Sequence, residues 1–309
     1  MLGAVELDFN NDGWPDLAVA SDTQRDLLYV NNGNGTFEEI GAISGVAYDE
    51  NGRARAGMGI DAGIVDNSGR ETIFVGNFSK EMIGVFRHQS SNFFEDRAAL
   101  SKIGRPSLMT LTFGLFLFDA DLDGDLDLFT ANGHVQIGIE HTQDGIYYRQ
   151  PSHLFLNDGD GHFTDIVPSI GGPLAQPIVG RGAAYSDYDK NGTLDILVTE
   201  NSGQVHLFRN DNNENNFLRV NVKSTTGNRN GLSTKLVGIT KNKRMERRVK
   251  AGSSFMSHSE TTVTFGLGRE EVLDSLYIYW PNSSIEMFHN IHNGIEINIT
   301  EGQGKFTVQ

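Results

Sequence analysis

Asp119-Ala120-Asp121-Leu122-Asp123-Gly124-Asp125-Leu126-Asp127, followed at once by Leu128-Phe129-Thr130-Ala131, is the stretch on which the fold turns. Two further segments repeat its form. Asp8-Phe9-Asn10-Asn11-Asp12-Gly13-Trp14-Pro15-Asp16 precedes Leu17-Ala18-Val19-Ala20, and Asp187-Tyr188-Asp189-Lys190-Asn191-Gly192-Thr193-Leu194-Asp195 precedes Ile196-Leu197-Val198-Thr199. The shared pattern is D-x-[DN]-x-[DN]-G-x-x-D and then an apolar, strand-like run. The starts at 8, 119 and 187 are 111 and 68 residues apart, and 111 is two units of about 55, so a further copy is expected near residue 64. Ile64-Val65-Asp66-Asn67-Ser68-Gly69-Arg70-Glu71-Thr72 stands there, before Ile73-Phe74-Val75. It keeps the glycine and the strand, but Ile64, Ser68 and Thr72 have replaced oxygen ligands at positions 1, 5 and 9. This copy is expected to keep the fold and hold no ion.

Crowding three or more carboxylates into nine residues is unfavourable unless a cation neutralises them. Oxygen-only ligands at alternating positions suit a hard ion, and calcium tolerates such a flexible set better than magnesium does. The glycine permits the sharp turn that brings the later positions back toward the earlier ones. The candidate ligands are Asp8, Asn10, Asp12 and Asp16 in the first loop. In the third they are Asp119, Asp121, Asp123, Asp125 and Asp127, and in the fourth Asp187, Asp189, Asn191, Thr193 and Asp195. About three Ca2+ sites are therefore expected. An EF-hand would need a bidentate Glu at position 12 and flanking helices, whereas Val19, Thr130 and Val198 stand there within β-rich runs.

A second element recurs downstream of each loop. Leu28-Tyr29-Val30-Asn31-Asn32-Gly33-Asn34-Gly35-Thr36-Phe37 matches Leu154-Phe155-Leu156-Asn157-Asp158-Gly159-Asp160-Gly161-His162-Phe163. Weaker versions run from Val85-Phe86-Arg87 to Phe93-Phe94 and from Leu207-Phe208-Arg209-Asn210 to Phe217. Each reads as strand, Gly/Asn turn, strand. Units of 55 to 68 residues built of short strands without a helical period predict propeller blades.

The charge divides the chain. Residues 1–211 carry 13 Lys+Arg against 31 Asp+Glu, and residues 212–309 carry 12 against 9. Two domains are expected, parted at the polar stretch Asn210-Asp211-Asn212-Asn213-Glu214-Asn215-Asn216. The second is expected to be a small β-sandwich, since Phe217-Leu218-Arg219-Val220-Asn221-Val222, Thr261-Thr262-Val263-Thr264-Phe265 and Leu276-Tyr277-Ile278-Tyr279-Trp280 read as strands. A net charge of −15 excludes nucleic acid as a partner, and no apolar run reaches the ~20 residues of a membrane span. With no cysteine, thiolate metal sites, disulfides and a cysteine nucleophile are all excluded.

On these loops the chain resembles the FG-GAP/VCBS repeat family of β-propellers. Phe113-Gly114 before Asp119 looks like the pair that names the family, with Gly57-Met58-Gly59 and Gly182-Ala183-Ala184 in equivalent places. The C-terminal region resembles the ASPIC/UnbV domain that follows such repeats, on Asn228-Arg229-Asn230-Gly231, Gly252 with Ser257 and Ser259, Phe265-Gly266-Leu267-Gly268 and Trp280-Pro281-Asn282. The resemblance implies an all-β chain: a partial β-propeller of about four FG-GAP/VCBS blades over residues 1–211, then an ASPIC/UnbV-like sandwich over 212–309. The resembled propellers close with about seven blades. Met1 falls just before the first loop, so N-terminal blades and a leader are expected to be missing.

The function expected from this reading is a non-catalytic, calcium-stabilised binding or adhesion scaffold that is extracellular, periplasmic or on the cell surface. Its partner is expected to be an extracellular protein or polysaccharide. The competing expectation is a propeller-based hydrolase or lyase acting on carbohydrate. His134, His141 and His153 form no metal-binding motif and are expected in a solvated loop. The single basic run, residues 241–250, is expected to be a solvated hairpin between two strands.

Overall fold

The computed structural model describes residues 1–309 except 50, 91 and 213, so Asn213 of the expected domain junction lies outside the described residues. Every acidic loop joins the first two strands of an antiparallel sheet. The first sheet orders β1 (Gly3–Leu7), β2 (Asp16–Ala20), β3 (Leu27–Asn31) and β4 (Phe37–Glu39). The second repeats this with β5 (Ile60–Gly63), β6 (Thr72–Val75), β7 (Gly84–Ser90) and β8 (Phe93–Asp96). The third has β9 (Thr112–Phe118), β10 (Asp127–Asn132), β11 (His153–Asn157) and β12 (Phe163–Asp165). The fourth stops at three strands: β13 (Gly180–Ser186), β14 (Asp195–Glu200) and β15 (Val205–Phe208).

The apolar runs after the second and third loops are buried throughout because both faces of their sheets are covered, whereas Leu17 on β2 and Leu197 on β14 are exposed. On β9, Leu115 and Leu117 face a core shared with Phe74 and Val85 of the second sheet, while Phe116 and Phe118 face a core shared with Ile196 and Val198 of the fourth. That alternation is the two-residue period of a strand. The first strands succeed one another in chain order at backbone contact. A Cβ on Gly59 would lie 2.1 Å from the Phe113 carbonyl oxygen, and one on Gly114 would lie 2.7 Å from the Arg181 carbonyl oxygen. Glycine is what allows that approach.

The remaining strands form two four-stranded sheets. One orders β18 (Arg244–Arg248), β17 (Lys235–Ile239), β20 (Val272–Tyr279) and β21 (Ile285–His292). The other orders β19 (Val263–Gly268), β16 (Asn216–Lys223), β22 (Ile295–Thr300) and β23 (Phe306–Val308), with β16 and β22 running parallel. Both contribute to one apolar core around Leu218, Leu236, Phe265, Leu276 and Ile297. Residues 252–260, between β18 and β19, run along the first strands of the acidic half. Ser254 N–H donates to the Ile60 carbonyl (2.8 Å), Ser254 Oγ donates to the Ala183 carbonyl (2.8 Å), and Glu260 N–H donates to the Tyr185 carbonyl (3.1 Å).

Three expectations are corrected. Phe217 does not close a hairpin with Leu207 and Phe208. It opens β16 and pairs with β19, which leaves β15 at the edge of its sheet. The basic run is the turn and second strand of a hairpin, β17–β18, in which Lys241 and Arg244 are exposed as expected but Lys243, Arg247, Arg248 and Lys250 are docked rather than solvated. Lys243 Nζ lies 2.7 Å from Asp125 Oδ2, Arg248 pairs with Glu6 and Glu71, and Lys250 pairs with buried Asp61. His134 and His153 are buried, with His153 Nδ1 2.7 Å from Asp165 Oδ2, so neither lies in a solvated loop.

Candidate metal centres

The three acidic loops with the full pattern are built by one hydrogen-bond scheme. The side-chain oxygen at position 3 accepts from the N–H at position 5, as Asn10 does from Asp12 (3.1 Å), Asp121 from Asp123 (3.2 Å) and Asp189 from Asn191 (3.2 Å). Position 5 accepts from position 7 in the same way, at 2.8 Å in all three. Position 1 accepts from the glycine N–H at position 6, at 3.1, 3.0 and 3.0 Å. These are Asx turns, which Asp and Asn favour because their short side chains reach the backbone two residues on. Position 4 is left-handed in each, with φ of 58° at Asn11, 61° at Leu122 and 63° at Lys190. A leucine or lysine adopts that conformation only at a cost.

Position 9 anchors the loop to the sheet. Asp16, Asp127 and Asp195 each accept from the N–H at position 2 and, at 2.8 Å, from the N–H of Asn31, Asn157 or Asn210. These asparagines were missed as site residues in the sequence, although their recurrence after Leu28, Leu154 and Leu207 was the available signal. Asn157 Nδ2 also donates to the carbonyls of Val65 and Leu126.

Two of the loops gather their carboxylates. In the third, oxygens of Asp119, Asp121 and Asp127 lie within 4.8 Å of one another, and in the fourth those of Asp187, Asp189 and Asp195 do the same. Among the described residues the three carboxylates of the first loop are not drawn together so closely, and Asn10 Nδ2 donates to Asp12 Oδ2 there. Asp125 is turned toward Lys243, Asp123 accepts from the Asp125 N–H, and the Thr193 hydroxyl donates to the Asn191 side chain and the Asn210 carbonyl. In the altered copy Asp66 is taken by the Arg87 guanidinium.

The fit to a cation rests on orphaned oxygens. Asp8 Oδ1 and Asp119 Oδ1, both at position 1, are buried without a hydrogen-bond partner among the described residues. An unpaired buried carboxylate oxygen is costly, so these atoms suit a bound ion. Electrostatics agree. Burial pushes the Asp119 carboxyl up to about 7 against the pull of Arg247, and Asp123 and Asp121 add to the rise. Burial, joined by Asp119, pushes Asp127 well above the usual carboxylate range, and burial pushes Asp16 up to about 6. The fourth loop is more nearly neutralised by the protein itself. Arg219 Nε lies 3.3 Å from Asp187 Oδ2, and Arg209 Nε lies 3.0 Å from Asp189 Oδ2.

The third loop is also where the two halves of the chain meet. Gly266 N–H donates to Asp119 Oδ2 (3.0 Å), Gly268 N–H to the Leu122 carbonyl (2.9 Å), Lys243 Nζ to the Asp123 carbonyl (2.9 Å) and Arg247 Nη2 to the Gly124 carbonyl (3.0 Å). A cavity of about 70 Å³ beside it is lined by Glu71, Asp119, Tyr185, Arg247 and Lys250. That volume suits a few waters and falls below the ~300 Å³ of ordinary small-molecule sites.

Residues 8–63 match the family model for the FG-GAP-like repeat, and residues 224–306 match that for ASPIC and UnbV, so both expected resemblances hold. The chain is similar to cartilage acidic protein 1 of Mus musculus, 26% identical over 281 residues that cover 87% of this chain and 40% of that protein. It is 26% identical to the Xenopus tropicalis protein of the same name over 289 residues, covering 89% and 41%. The chain thus spans about two fifths of the length of these curated relatives. Among solved structures, an Agrocybe aegerita lectin that recognises non-reducing terminal N-acetylglucosamine aligns over 86% of this chain and 85% of its own, at 16% identity and a TM-score of 0.31. Among the described residues no helix is long and apolar enough to cross a membrane.

Proposed function

Taking an FG-GAP-like repeat followed by an ASPIC and UnbV segment as the premise, we propose that this chain is a calcium-stabilised, non-catalytic binding scaffold that works outside the cell. The observation that carries the reading is the buried, partnerless Asp119 Oδ1 within a triad of gathered carboxylates. Asp119, Asp121 and Asp127 are the proposed ligands of the best-formed site, with Asp187, Asp189 and Asp195 at the second. Asp8, Asn10, Asp12 and Asp16 form the third, closing around the ion as it binds. When bound, the ion supplies positive charge to a desolvated acidic turn and pins both strands that leave it.

In this reading residues 1–211 are blades of a β-propeller and residues 212–309 a β-sandwich docked on their inner strands. Support comes from the four stacked sheets in chain order and from the second apolar core. Extracellular calcium modules bind at about 10⁻⁴–10⁻³ M. At an ion concentration tenfold above the dissociation constant each site contributes about 1.4 kcal/mol, so three would contribute about 4 kcal/mol. Such sites fill outside the cell and stay empty in cytosol, which supports an extracellular setting. An extracellular protein or polysaccharide is the proposed class of partner. Calorimetry in calcium and in chelator tests the proposal: the melting temperature is expected to fall by several degrees on calcium removal. An unchanged melting temperature refutes the metal reading, and turnover on a panel of glycans refutes the non-catalytic one.

A further inference from the structure

Three of the four sheets of the acidic half end in a fourth strand of one chemical form. Phe37-Glu38-Glu39, Phe94-Glu95-Asp96 and Phe163-Thr164-Asp165 each place a phenylalanine at or near the start and a carboxylate at the end. The register is shared: Glu39 lies opposite Tyr29, Asp96 opposite Phe86 and Asp165 opposite Phe155. In each case the terminal carboxylate also accepts from the N–H two residues on, at 2.7 Å from Gly41, 2.9 Å from Ala98 and 3.2 Å from Val167.

The fourth sheet has the receiving strand and lacks the received one. His206-Leu207-Phe208-Arg209-Asn210 corresponds residue for residue to His153-Leu154-Phe155-Leu156-Asn157. His153 Nδ1 is held by the fourth-strand carboxylate Asp165 at 2.7 Å. His206 has its Nε2 on Glu200 at 3.0 Å, and among the described residues no hydrogen bond is formed at its Nδ1. The chain that should have returned along β15 leaves instead for β16. Beside β15 lies an open groove of about 720 Å³, with Ile170, Pro173 and Leu174 on one wall and Val205, Leu207 and Phe208 on the other. β15 is the unpaired edge of its sheet, of the kind that templates strand pairing, and Val205 (63% exposed) and Leu207 (49%) share the sheet's open apolar face with Leu197 of β14.

We propose that this edge binds an extended segment of another protein, of the form Phe-x-Asp/Glu, added antiparallel to β15. Its phenylalanine lies opposite Asn210 and its carboxylate opposite Phe208, within reach of His206, following the register of β11 and β12. With its Nε2 on Glu200, His206 turns Nδ1 toward the incoming acid, as His153 turns Nδ1 toward Asp165. Main-chain pairing supplies affinity and the two side chains supply selectivity. A second copy of this chain is a poor source, because its own three segments of this form are already β4, β8 and β12. The inference deepens the scaffold reading by naming a partner class.

The test uses the full chain in calcium and a synthetic peptide with the sequence of residues 158–167, Asp-Gly-Asp-Gly-His-Phe-Thr-Asp-Ile-Val. Titration calorimetry should give a Kd on the order of 10–100 μM. Amide exchange at residues 205–209 should slow at least about tenfold on saturation. Peptides carrying the equivalent of Phe163→Ala or Asp165→Asn should bind at least about fivefold more weakly, and His206→Asn in the protein should remove the advantage of the acidic peptide. No protection of β15 at about 1 mM peptide overturns the proposal, as does binding indifferent to both peptide substitutions. Protection of β15 that grows with protein concentration in the absence of peptide assigns the edge to a second copy and overturns the partner. Because the calcium-dependent melting shift is measured separately, loss of peptide binding with that shift intact refutes this inference alone.

Discussion

Replacing Asp119 by Asn is expected to stabilise the calcium-free protein and to destabilise the calcium-loaded one. The two isosteres differ in charge and in one donor. Asp119 Oδ2 accepts from the N–H groups of Gly124 and Gly266, contacts that the amide oxygen of Asn can keep. Oδ1, which has no partner, becomes an NH₂ group. The carboxyl has a folded-state pKa pushed up to about 7 from 3.8, chiefly by burial. A raised acid makes the folded state the better proton binder. Without calcium, stability is therefore greatest below about pH 4, falls as pH rises from about 4 to about 7, and stays low above that. A shift of about 3 units corresponds to about 4 kcal/mol, a ceiling because the loop can open to water. Asn escapes this loss, so at pH 8 in chelator the variant gains up to that amount. If calcium binds as proposed, the carboxylate is one of its ligands, and the variant forfeits the ion's contribution at this site. Urea denaturation at pH 8, in chelator and in millimolar calcium, reads both effects. Equal destabilisation in the two buffers would show Asp119 to be a hydrogen-bond hub and refute the argument.

Three further outcomes are expected. Glu301 accepts from Ser224 Oγ (2.6 Å), from the N–H groups of Thr225 and Thr226, and from Asn282 Nδ2 (2.6 Å). Burial opposes its ionisation, but these donors outweigh it and hold the carboxyl down at about 2. Glu301→Gln should therefore cost up to about 3 kcal/mol in urea denaturation at pH 7, a difference that shrinks as pH falls from 4.5 toward 2. Gly59→Ala places a methyl 2.1 Å from a backbone oxygen that cannot swing aside, and should lower stability by about 1–3 kcal/mol by thermal denaturation. Arg219 is buried between Glu260, Glu296 and Asp187. Arg219→Met strands those carboxylates and should cost about 3–5 kcal/mol by chemical denaturation, part of it recovered in calcium through Asp187.

Much of the acidic half was legible because its rules are local. The nine-residue loops are set by side chains that bond the backbone two residues on, so D-x-[DN]-x-[DN]-G-x-x-D fixes a turn without reference to the rest of the chain. The altered copy at residues 64–72 was found by arithmetic for the same reason. Left-handed Leu122 and Lys190 were not legible, since nothing in those side chains asks for positive φ; the turn around them imposes it. The solvated reading of residues 241–250 holds at exposed Lys241 and Arg244 and fails at Lys243, Arg248 and Lys250, because a charge run looks the same whether water or a carboxylate faces it. Its partners, Asp61, Glu71 and Asp125, lie more than a hundred residues away in sequence.

Sequence alone determined the repeating unit, the all-β character, the oxygen-rich turns and the difference in charge between the two halves, because each follows from residue spacing or composition. Tertiary structure decided which turns gather their carboxylates, which carboxylates Arg219 and Arg209 already neutralise, and that the second half grips both the third and the fourth loop. It also decided that Phe217 abandons β15 for a different sheet. A strand carries the same side chains beside either neighbour, and only the competition between two edges for one segment determines where it pairs.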